Sequence, residues 1–395
     1  MKKTRIIAIL TCAILCFTSL VGCGESKEKN YTANNKEFVI GVSGPLTGGA
    51  AVYGKAVQNS AQMAVDEINA AGGLNGIKFK LIVKDDKHDA ANVATNYSTM
   101  LEAGMQVSLG TVTTNPGLEF RNLSVEDNVF FLTPSASGDD IPQNDNGYQM
   151  CFADSNQGSV AAEYVNEHYK GQTIGVFYKS DDAYSKGIFK KFQENLDKSI
   201  KIEESSFADT NDSDFSSQIS KLKDCKFIFM PIYYTPAQTF MTQAKDTGII
   251  AADAIYYGCD GFDGIDSSED FDINTIPQQV TMLSHFNSKA TEGKAAEFIK
   301  KYTEKYPNEA GTLNQFGASA YDCVYAIYGA MKEAIDAGKD IPVTISASDL
   351  SDILKDKFAN GYTYKNGVTG DVITWDSKGY VKKEAVQYIV KEANK

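Results

Sequence analysis

Three short segments of the chain collect hydroxyl-bearing and small residues, and each lies where an apolar run gives way to a helical pattern. They are residues 44–54 (GPLTGGAAVYG), 110–116 (GTVTTNP) and 133–137 (TPSAS). Neutral donors of this kind, together with the free N–H groups at the start of a helix, can hold a carboxylate without an arginine. The chemistry that these segments predict is therefore the binding of a carboxylate by hydrogen bonds.

Sequence motifs for catalysis and for nucleotide binding are missing. The first segment lies between a strand and a helix but lacks the G-x-G-x-x-G spacing of a dinucleotide site. The chain also has no G-x-x-x-x-G-K-[ST] phosphate loop and no G-x-S-x-G nucleophile elbow. The three histidines are scattered, and His88, beside Asp85, Asp86 and Asp89, is more typical of a solvated acidic turn than of a metal site. We therefore expect no catalytic residue, no metal and no cofactor.

The elements that position these segments alternate between strands and helices. Residues 38–42 (FVIGV) predict a buried strand, and the helical spacing of apolar residues over 54–71 predicts a helix that glycines end. The alternation reaches about residue 133 and restarts near 157, which predicts two α/β units with right-handed βαβ connections and parallel sheets. Further helices are predicted near 293–306 and 315–337. Because ligands bind beyond the carboxyl ends of parallel strands, the three segments lie where a site is expected.

The overall composition is that of a folded, acidic protein. The chain has 395 residues, of which 43% are hydrophobic and 23% charged, and its net charge is −13. This apolar content excludes a disordered protein, and the length predicts two or three folding units. An acidic chain without a basic patch repels phosphate backbones, which excludes nucleic acid as a partner. Seven cysteines are too few for a disulfide scaffold, so buried free thiols are the default, with pairing of those at 151, 225, 259 and 323 left open.

The first thirty residues have the pattern of a secretory signal. Three basic residues precede an apolar stretch over 6–21, and LVGC follows at 20–23. These four residues resemble the bacterial lipoprotein box, which implies removal of residues 1–22 and lipidation of Cys23. A membrane-spanning anchor is the alternative, but the stretch is short for about 30 Å of hydrocarbon. Residues 23–36 would form a flexible tether, and the protein is expected on the extracellular face of the cytoplasmic membrane, held by its lipid.

A series of nine motifs resembles the type I periplasmic binding proteins, and within them the leucine/isoleucine/valine-binding-like receptors of ABC importers. None is specific alone, but their order and spacing are. The resemblance implies an α/β fold of two Rossmann-like lobes, each a parallel sheet flanked by helices, joined by three crossover segments in a Venus-flytrap arrangement. The motifs are GPLTGGAAVYG, EINAAGGLNG, LTPSAS, DSNQG, SDDAYSKG, QAKDTGI, GCDGFDG, SAYDCVYA and GVTGDVITWDSKG.

The resemblance also implies the polar contacts to a ligand. Thr114, with Thr113 beside it, matches the hydroxyl that binds an α-carboxylate, and Asp260 matches the acid that pairs with an α-ammonium. The Ser135 backbone carbonyl matches a second acceptor for the ammonium. Ser137 matches a residue that contacts both ends of the ligand, and Ala136 lies between these two serines. As alternatives, Thr114 and Ser137 could cap helices, and Asp260 could serve only to form a turn.

Three tyrosines match the aromatic walls of such a site. Tyr53 corresponds to the residue that shields the ligand from the first lobe, and Tyr184 to the aromatic residue of the second lobe. Tyr233 matches another wall, although the neighbouring Tyr234 could be the counterpart. Because the chain contains 21 tyrosines, these assignments depend on the resemblance rather than on residue type.

The resemblance implies lobes that share the chain discontinuously. The N-terminal lobe would comprise 37–152 and 285–358, and the C-terminal lobe 153–284 and 359–395. Crossovers are expected near 148–155, 280–286 and 358–366. The alternating tail over 367–390, with a turn at 377–379, predicts a hairpin.

The function implied is transport rather than chemistry. A monomer would capture a small amino acid, branched-chain or otherwise aliphatic, in the cleft between its lobes and deliver it to an ABC permease and ATPase complex. Three alternatives stay open at this point. They are a sensor that feeds a signalling receptor, a binder of an amide or aromatic amino acid, and an enzyme on the same scaffold.

Overall fold

The computed structural model describes residues 31–142, 145–267 and 270–394. The predicted signal peptide over 1–22, the lipidation site Cys23 and most of the predicted tether lie outside the described residues. Within the described part, no helix combines the length and the apolar character needed to cross a membrane.

The described chain forms strands and helices in close alternation. The strands are β1 (Phe38–Gly44), β2 (Phe79–Asp85), β3 (Val107–Ser108), β4 (Phe131–Thr133), β5 (Gly147–Gln149), β6 (Thr173–Lys179), β7 (Lys201–Phe207), β8 (Phe227–Met230), β9 (Ile255–Gly258), β10 (Gln279–Ser284), β11 (Thr363–Lys365), β12 (Val372–Thr374) and β13 (Val386–Lys391). The helices are α1 (Ala51–Ala70), α2 (Val93–Glu102), α3 (Thr114–Glu126), α4 (Asp154–His168), α5 (Ala183–Asn195), α6 (Ser216–Leu222), α7 (Tyr234–Thr247), α8 (Gly293–Lys305), α9 (Gln315–Asp336) and α10 (Ala347–Ala359). Short 3-10 helices cover Ala90–Asn92, Asp209–Asn211, Asp260–Phe262, Ile273–Thr275 and Pro307–Thr312.

Two sheets with the same strand order organise the fold. The first sheet has the order β2-β1-β3-β4-β5 and is parallel throughout. The second has the order β7-β6-β8-β9-β10 with β13 added antiparallel to β10. Counted within each sheet, both parallel sets run 2-1-3-4-5, a doubly wound order whose switch point favours ligand binding beyond the carboxyl ends. The predicted α/β fold with two parallel sheets is confirmed.

Helix α9 packs closely along α1 because small residues face each other. A Cβ atom at Gly317 would lie 2.9 Å from the Ser60 hydroxyl and 3.1 Å from Ala56, so a larger residue would push the helices apart. Asn314 caps α9 by accepting from the N–H groups of Phe316 and Gly317, at 3.1 and 3.0 Å. This cap fixes Phe316 at the start of the helix.

The tail differs from the predicted hairpin over 367–390. Only Trp375 and Val381 bridge across the turn, while β12 pairs with β11 and β13 pairs with β10. The alternating residues of β13 complete the free edge of the second sheet instead of returning on the preceding segment.

The contacts of residues 368–375 favour a third crossover that lies later in the chain than the predicted 358–366. The Trp375 indole donates to the Gln149 carbonyl at 2.7 Å, and Asp322 of α9 accepts from the Val368 and Thr369 N–H groups, both at 2.8 Å. We propose that the chain crosses between residues 382 and 386. The other lobe boundaries stay predictions.

The four described cysteines are free and buried, as the default prediction had it. They are Cys151, Cys225, Cys259 and Cys323, and burial raises the pKa of each thiol.

Candidate ligand-binding site

A small cavity lies between loops that follow corresponding strands of the two sheets. The first sheet contributes the segments after β1, β3 and β4, and the second sheet those after β6, β8 and β9, while α9 adds Phe316. The cavity volume is about 10 Å³, which is room for one water. A ligand the size of an amino acid therefore requires the walls to move apart. The lining residues are Tyr53, Val112, Thr114, Ser135, Ser137, Tyr184, Tyr233, Asp260 and Phe316.

A larger cavity of about 790 Å³ also borders Thr114. It mixes lysines with carboxylates, and most of these charged side chains are exposed, so it has the character of a solvated groove. The small cavity is the better candidate site because its polar groups are buried and converge from both sheets. The charged residues of the groove are Asp139, Asp140, Asp154, Lys190, Lys191, Glu194, Asp376, Lys378, Lys382 and Lys383.

Asp260 places a buried carboxyl group in the wall of the cavity. It opens the short 3-10 helix after β9 and is 2% exposed. Its Oδ1 accepts from the Tyr184 hydroxyl at 2.8 Å, and its N–H donates to Gln157 Oε1 at 2.8 Å. Burial raises the pKa of Asp260 to about 7, although the hydrogen bond from Tyr184 opposes this shift. A carboxylate in this setting is ready to pair with a cation.

Tyr184 reaches Asp260 because position 261 is a glycine. The Tyr184 hydroxyl also accepts from the Gly261 N–H at 2.9 Å. A Cβ atom at Gly261 would lie 2.7 Å from that hydroxyl, so any other residue would displace it. Asp182 caps α5 by accepting from the Tyr184 N–H at 3.1 Å and so fixes the start of the helix that carries the tyrosine.

Thr114 supplies a free hydroxyl at the first turn of α3. Its Oγ1 is buried and has no hydrogen-bond partner among the described residues. The cap position belongs to Thr113, whose hydroxyl lies 2.9 Å from His88 Nδ1 instead of capping the helix. Pro116, the third residue of α3, has no N–H, which removes one of the two donors that a capping side chain can use. The predicted alternative, in which Thr114 caps a helix, is therefore wrong.

Ser135 and Ser137 line the cavity from the segment after β4. Ser137 precedes no helix, so a capping role for it is also wrong. Its carbonyl accepts from the Asp154 N–H at 2.9 Å, which ties this segment to the start of α4.

Aromatic rings form the rest of the wall. Tyr184 and Tyr233 stack with centroids 4.6 Å apart, and Tyr53 meets Phe316 edge-on at 5.0 Å. The Tyr53 hydroxyl donates to the Gly261 carbonyl at 2.5 Å. This hydrogen bond directly links the part of the protein built on the first sheet, the first-sheet half, to the part built on the second sheet, the second-sheet half. Tyr234 packs against Tyr53 but does not line the cavity, whereas Tyr233 does, and its buried hydroxyl has no partner in the described part.

Seven of the nine predicted site residues line this one cavity. Thr113 does not line the cavity, and its hydroxyl is hydrogen-bonded to His88 instead. Ala136 does not, because its side chain packs in the core, where its carbonyl accepts from Gln149 at 2.9 Å. The sequence reasoning missed Val112, although it lies in the predicted segment 110–116. It also missed Phe316, for which no local signal distinguishes a cavity residue from a core residue.

Comparison with known proteins gives this site its context. Residues 37–374 match the periplasmic binding protein family. The chain belongs to this family. This periplasmic binding protein is 30% identical over 300 residues to the leucine-, isoleucine-, valine-, threonine- and alanine-binding protein of Pseudomonas aeruginosa, and the match covers 74% of each chain.

Solved structures of other binding proteins share the fold. The branched-chain amino acid transporter substrate-binding protein of Streptococcus pneumoniae, in complex with isoleucine, is 28% identical with a TM-score of 0.72, covering 89% of this chain and 100% of that one. A solute-binding protein of an ABC transporter from Rhodopseudomonas palustris, in complex with 3,4-dihydroxybenzoic acid, has a TM-score of 0.75 over 91% of this chain and 94% of that one. At 16% identity, the latter shows the fold alone.

As a member of this family, the protein is an extracytoplasmic solute-binding protein. The prediction that it is not an enzyme is confirmed by the family it belongs to.

Proposed function

We propose that this periplasmic binding protein captures a small amino acid, branched-chain or otherwise aliphatic, and delivers it to an ABC importer. The observation that carries the proposal is one cavity lined by two complementary polar groups, the buried Asp260 carboxyl and the unpartnered Thr114 hydroxyl. An amino acid stripped of water needs an acceptor for its ammonium and donors for its carboxylate. The two groups meet both needs.

The apolar part of the lining favours an aliphatic side chain. Val112, Phe316 and the ring of Tyr53 present carbon surface, and none of them carries a charge. The names of the relatives agree with this chemistry, since one is a leucine-, isoleucine-, valine-, threonine- and alanine-binding protein and another was solved with isoleucine. Lipid anchoring through Cys23 would keep the carrier beside the importer.

Binding is coupled to closure in this proposal because the two polar groups follow strands of different sheets. Thr114 follows β3 of the first sheet, and Asp260 follows β9 of the second. Only a closed cleft brings both to one ligand, so the ligand shifts the population toward the closed state.

An aromatic acid is the second candidate, because a protein of the same fold was solved with 3,4-dihydroxybenzoic acid. Asp260 disfavours it. A ligand with a carboxylate and no ammonium would bring a second acidic group to the buried Asp260 carboxyl and would supply no cation to pair with it.

A thermal-shift screen of the twenty common amino acids tests the proposal. A ligand present at about 100 times its dissociation constant should add about 2.7 kcal/mol to the free energy of unfolding. We expect L-leucine, L-isoleucine or L-valine to raise the melting temperature and 3,4-dihydroxybenzoate to leave it unchanged. A flat response to every amino acid would overturn the proposal, and a response to the aromatic acid alone would replace it with the second candidate.

Ligand affinity is expected to fall on acidification. Burial holds the pKa of Asp260 at about 7 in the unliganded protein, so below pH 7 the carboxyl must lose a proton before it can pair with an ammonium. The dissociation constant should therefore rise about tenfold per pH unit below 7 and level off above about 8. The stability of the unliganded protein should change in the opposite direction and increase as the pH falls. Between the ordinary pKa of about 4 and the raised value, only the folded chain holds this proton, so acid stabilises the fold.

Isothermal titration calorimetry between pH 5.5 and 8.5 measures this profile. Asp263 is the matched control, because burial also raises its pKa to about 7 while its carboxylate accepts from the Gln315 N–H at 2.8 Å and does not line the cavity. The Asp263→Asn variant should keep the slope. An affinity independent of pH would show that Asp260 does not pair with the ligand.

A further inference from the structure

His88 lies in a tight turn whose backbone is held in an unusual conformation. Lys87 and His88 have φ values of 58° and 63°, the left-handed region that is uncommon for residues other than glycine. The buried carboxylate of Asp86 holds the turn, since it accepts from the His88 N–H at 2.9 Å and the Ser43 hydroxyl at 3.1 Å. Consecutive residues in this region persist only where the surroundings over-determine them, often near functional sites.

The turn presents the imidazole to both walls of the candidate site. His88 Nδ1 lies 2.9 Å from Thr113 Oγ1, directly before the Thr114 hydroxyl. The ring also meets Tyr233 edge-on, with centroids 4.9 Å apart and an interplanar angle of 81°. Thr113 belongs to the first-sheet half and Tyr233 to the second, so the imidazole bridges the two halves without lining the cavity itself.

The surroundings of His88 favour a neutral ring. Burial, together with the nearby Lys179, lowers the pKa of His88 to about 4, although Asp209 and Asp89 act in the opposite direction. The ring is therefore uncharged at neutral pH and contacts Tyr233 by aromatic packing rather than by charge.

We infer that His88 is a positioning residue for the ligand site, one that holds the first turn of α3 and the Tyr233 wall together when the cleft closes. The inference rests on the proposed function. Because the contact with Tyr233 joins the two halves, losing it should speed ligand release more than it slows capture.

The test compares His88→Asn with Lys87→Asn in stopped-flow binding of L-isoleucine. Asparagine tolerates the left-handed backbone, so His88→Asn removes the ring without straining the turn. Lys87 occupies the same turn with an exposed side chain and serves as the matched control. For His88→Asn we expect the dissociation rate to rise about tenfold, with the association rate and the unliganded melting temperature close to wild type. Lys87→Asn should leave both rates unchanged.

A double-mutant cycle with Tyr233→Leu separates positioning from general stability. If the ring acts through Tyr233, His88→Asn should change the dissociation rate by less than about twofold in the Tyr233→Leu background. An unchanged dissociation rate in His88→Asn, or an equal increase with and without Tyr233, would overturn the inference while wild-type binding of isoleucine leaves the proposed function intact. If the wild-type protein binds no amino acid, both are overturned.

Discussion

Replacing Asp260 with asparagine is expected to weaken L-isoleucine binding by about a hundredfold or more, which is about 3 kcal/mol. Asparagine has nearly the same size and can keep the hydrogen bond from Tyr184, so the change removes the charge and little else. The ligand ammonium would then be buried without a counter-charge. Calorimetry at pH 8, where the wild-type carboxyl is ionised, gives the affinity difference directly.

The same variant should be at least as stable as wild type without ligand. Burial makes the ionised carboxylate unfavourable in the unliganded protein, as its raised pKa shows, and asparagine removes that cost. Asp266→Asn is the matched control, since Asp266 is exposed in the same loop and should affect neither quantity. If Asp260→Asn binds isoleucine as tightly as wild type, Asp260 does not hold the ammonium.

Replacing Thr114 with valine is expected to weaken isoleucine binding by about ten- to thirtyfold, or about 1.5 to 2 kcal/mol, the contribution of a hydrogen bond to a charged group. The unliganded protein should keep its stability or gain some. This opposite effect follows because Thr114 Oγ1 is buried without a partner among the described residues, so valine removes an unsatisfied group. Calorimetry and urea unfolding together measure the two effects.

Thr111→Val provides the comparison for this second variant. Thr111 is equally buried in the same segment, but its hydroxyl donates to the Thr113 carbonyl at 3.3 Å and does not line the cavity. Its replacement should lower stability and leave the affinity near wild type. A Thr114→Val protein that loses stability but keeps its affinity would assign the hydroxyl to the fold rather than to the ligand.

The strongly periodic elements could be predicted from sequence with good accuracy. The helix predicted over 54–71 is α1 (Ala51–Ala70), and the one predicted over 315–337 is α9 (Gln315–Asp336). Both have a long apolar face, and a glycine or a capping asparagine marks one end. The tail was harder because the alternation of β13 is satisfied by any free strand edge, and sequence does not say which edge is open.

The residues of the site also divide into those that the sequence could predict and those that it could not. Thr114, Ser137 and Asp260 lie in loops after strands, where the order of elements already predicts ligand contacts. Phe316 reaches the site by packing against Tyr53, which is more than two hundred residues away in the sequence. His88 reaches it through a strained turn. Local residue patterns contain no information about either arrangement.

The buried thiols make this protein convenient to convert into an optical sensor. Maleimide dyes react with thiolates that reach solvent, and the four cysteines of residues 31–142, 145–267 and 270–394 do not. A cysteine introduced at Thr235, an exposed residue whose hydroxyl donates to the Gly49 carbonyl at 2.6 Å across the cleft, would take up the dye selectively among these residues. A fluorophore there would move from a crowded rim into water as the halves separate, so its emission would report occupancy of the carrier in real time.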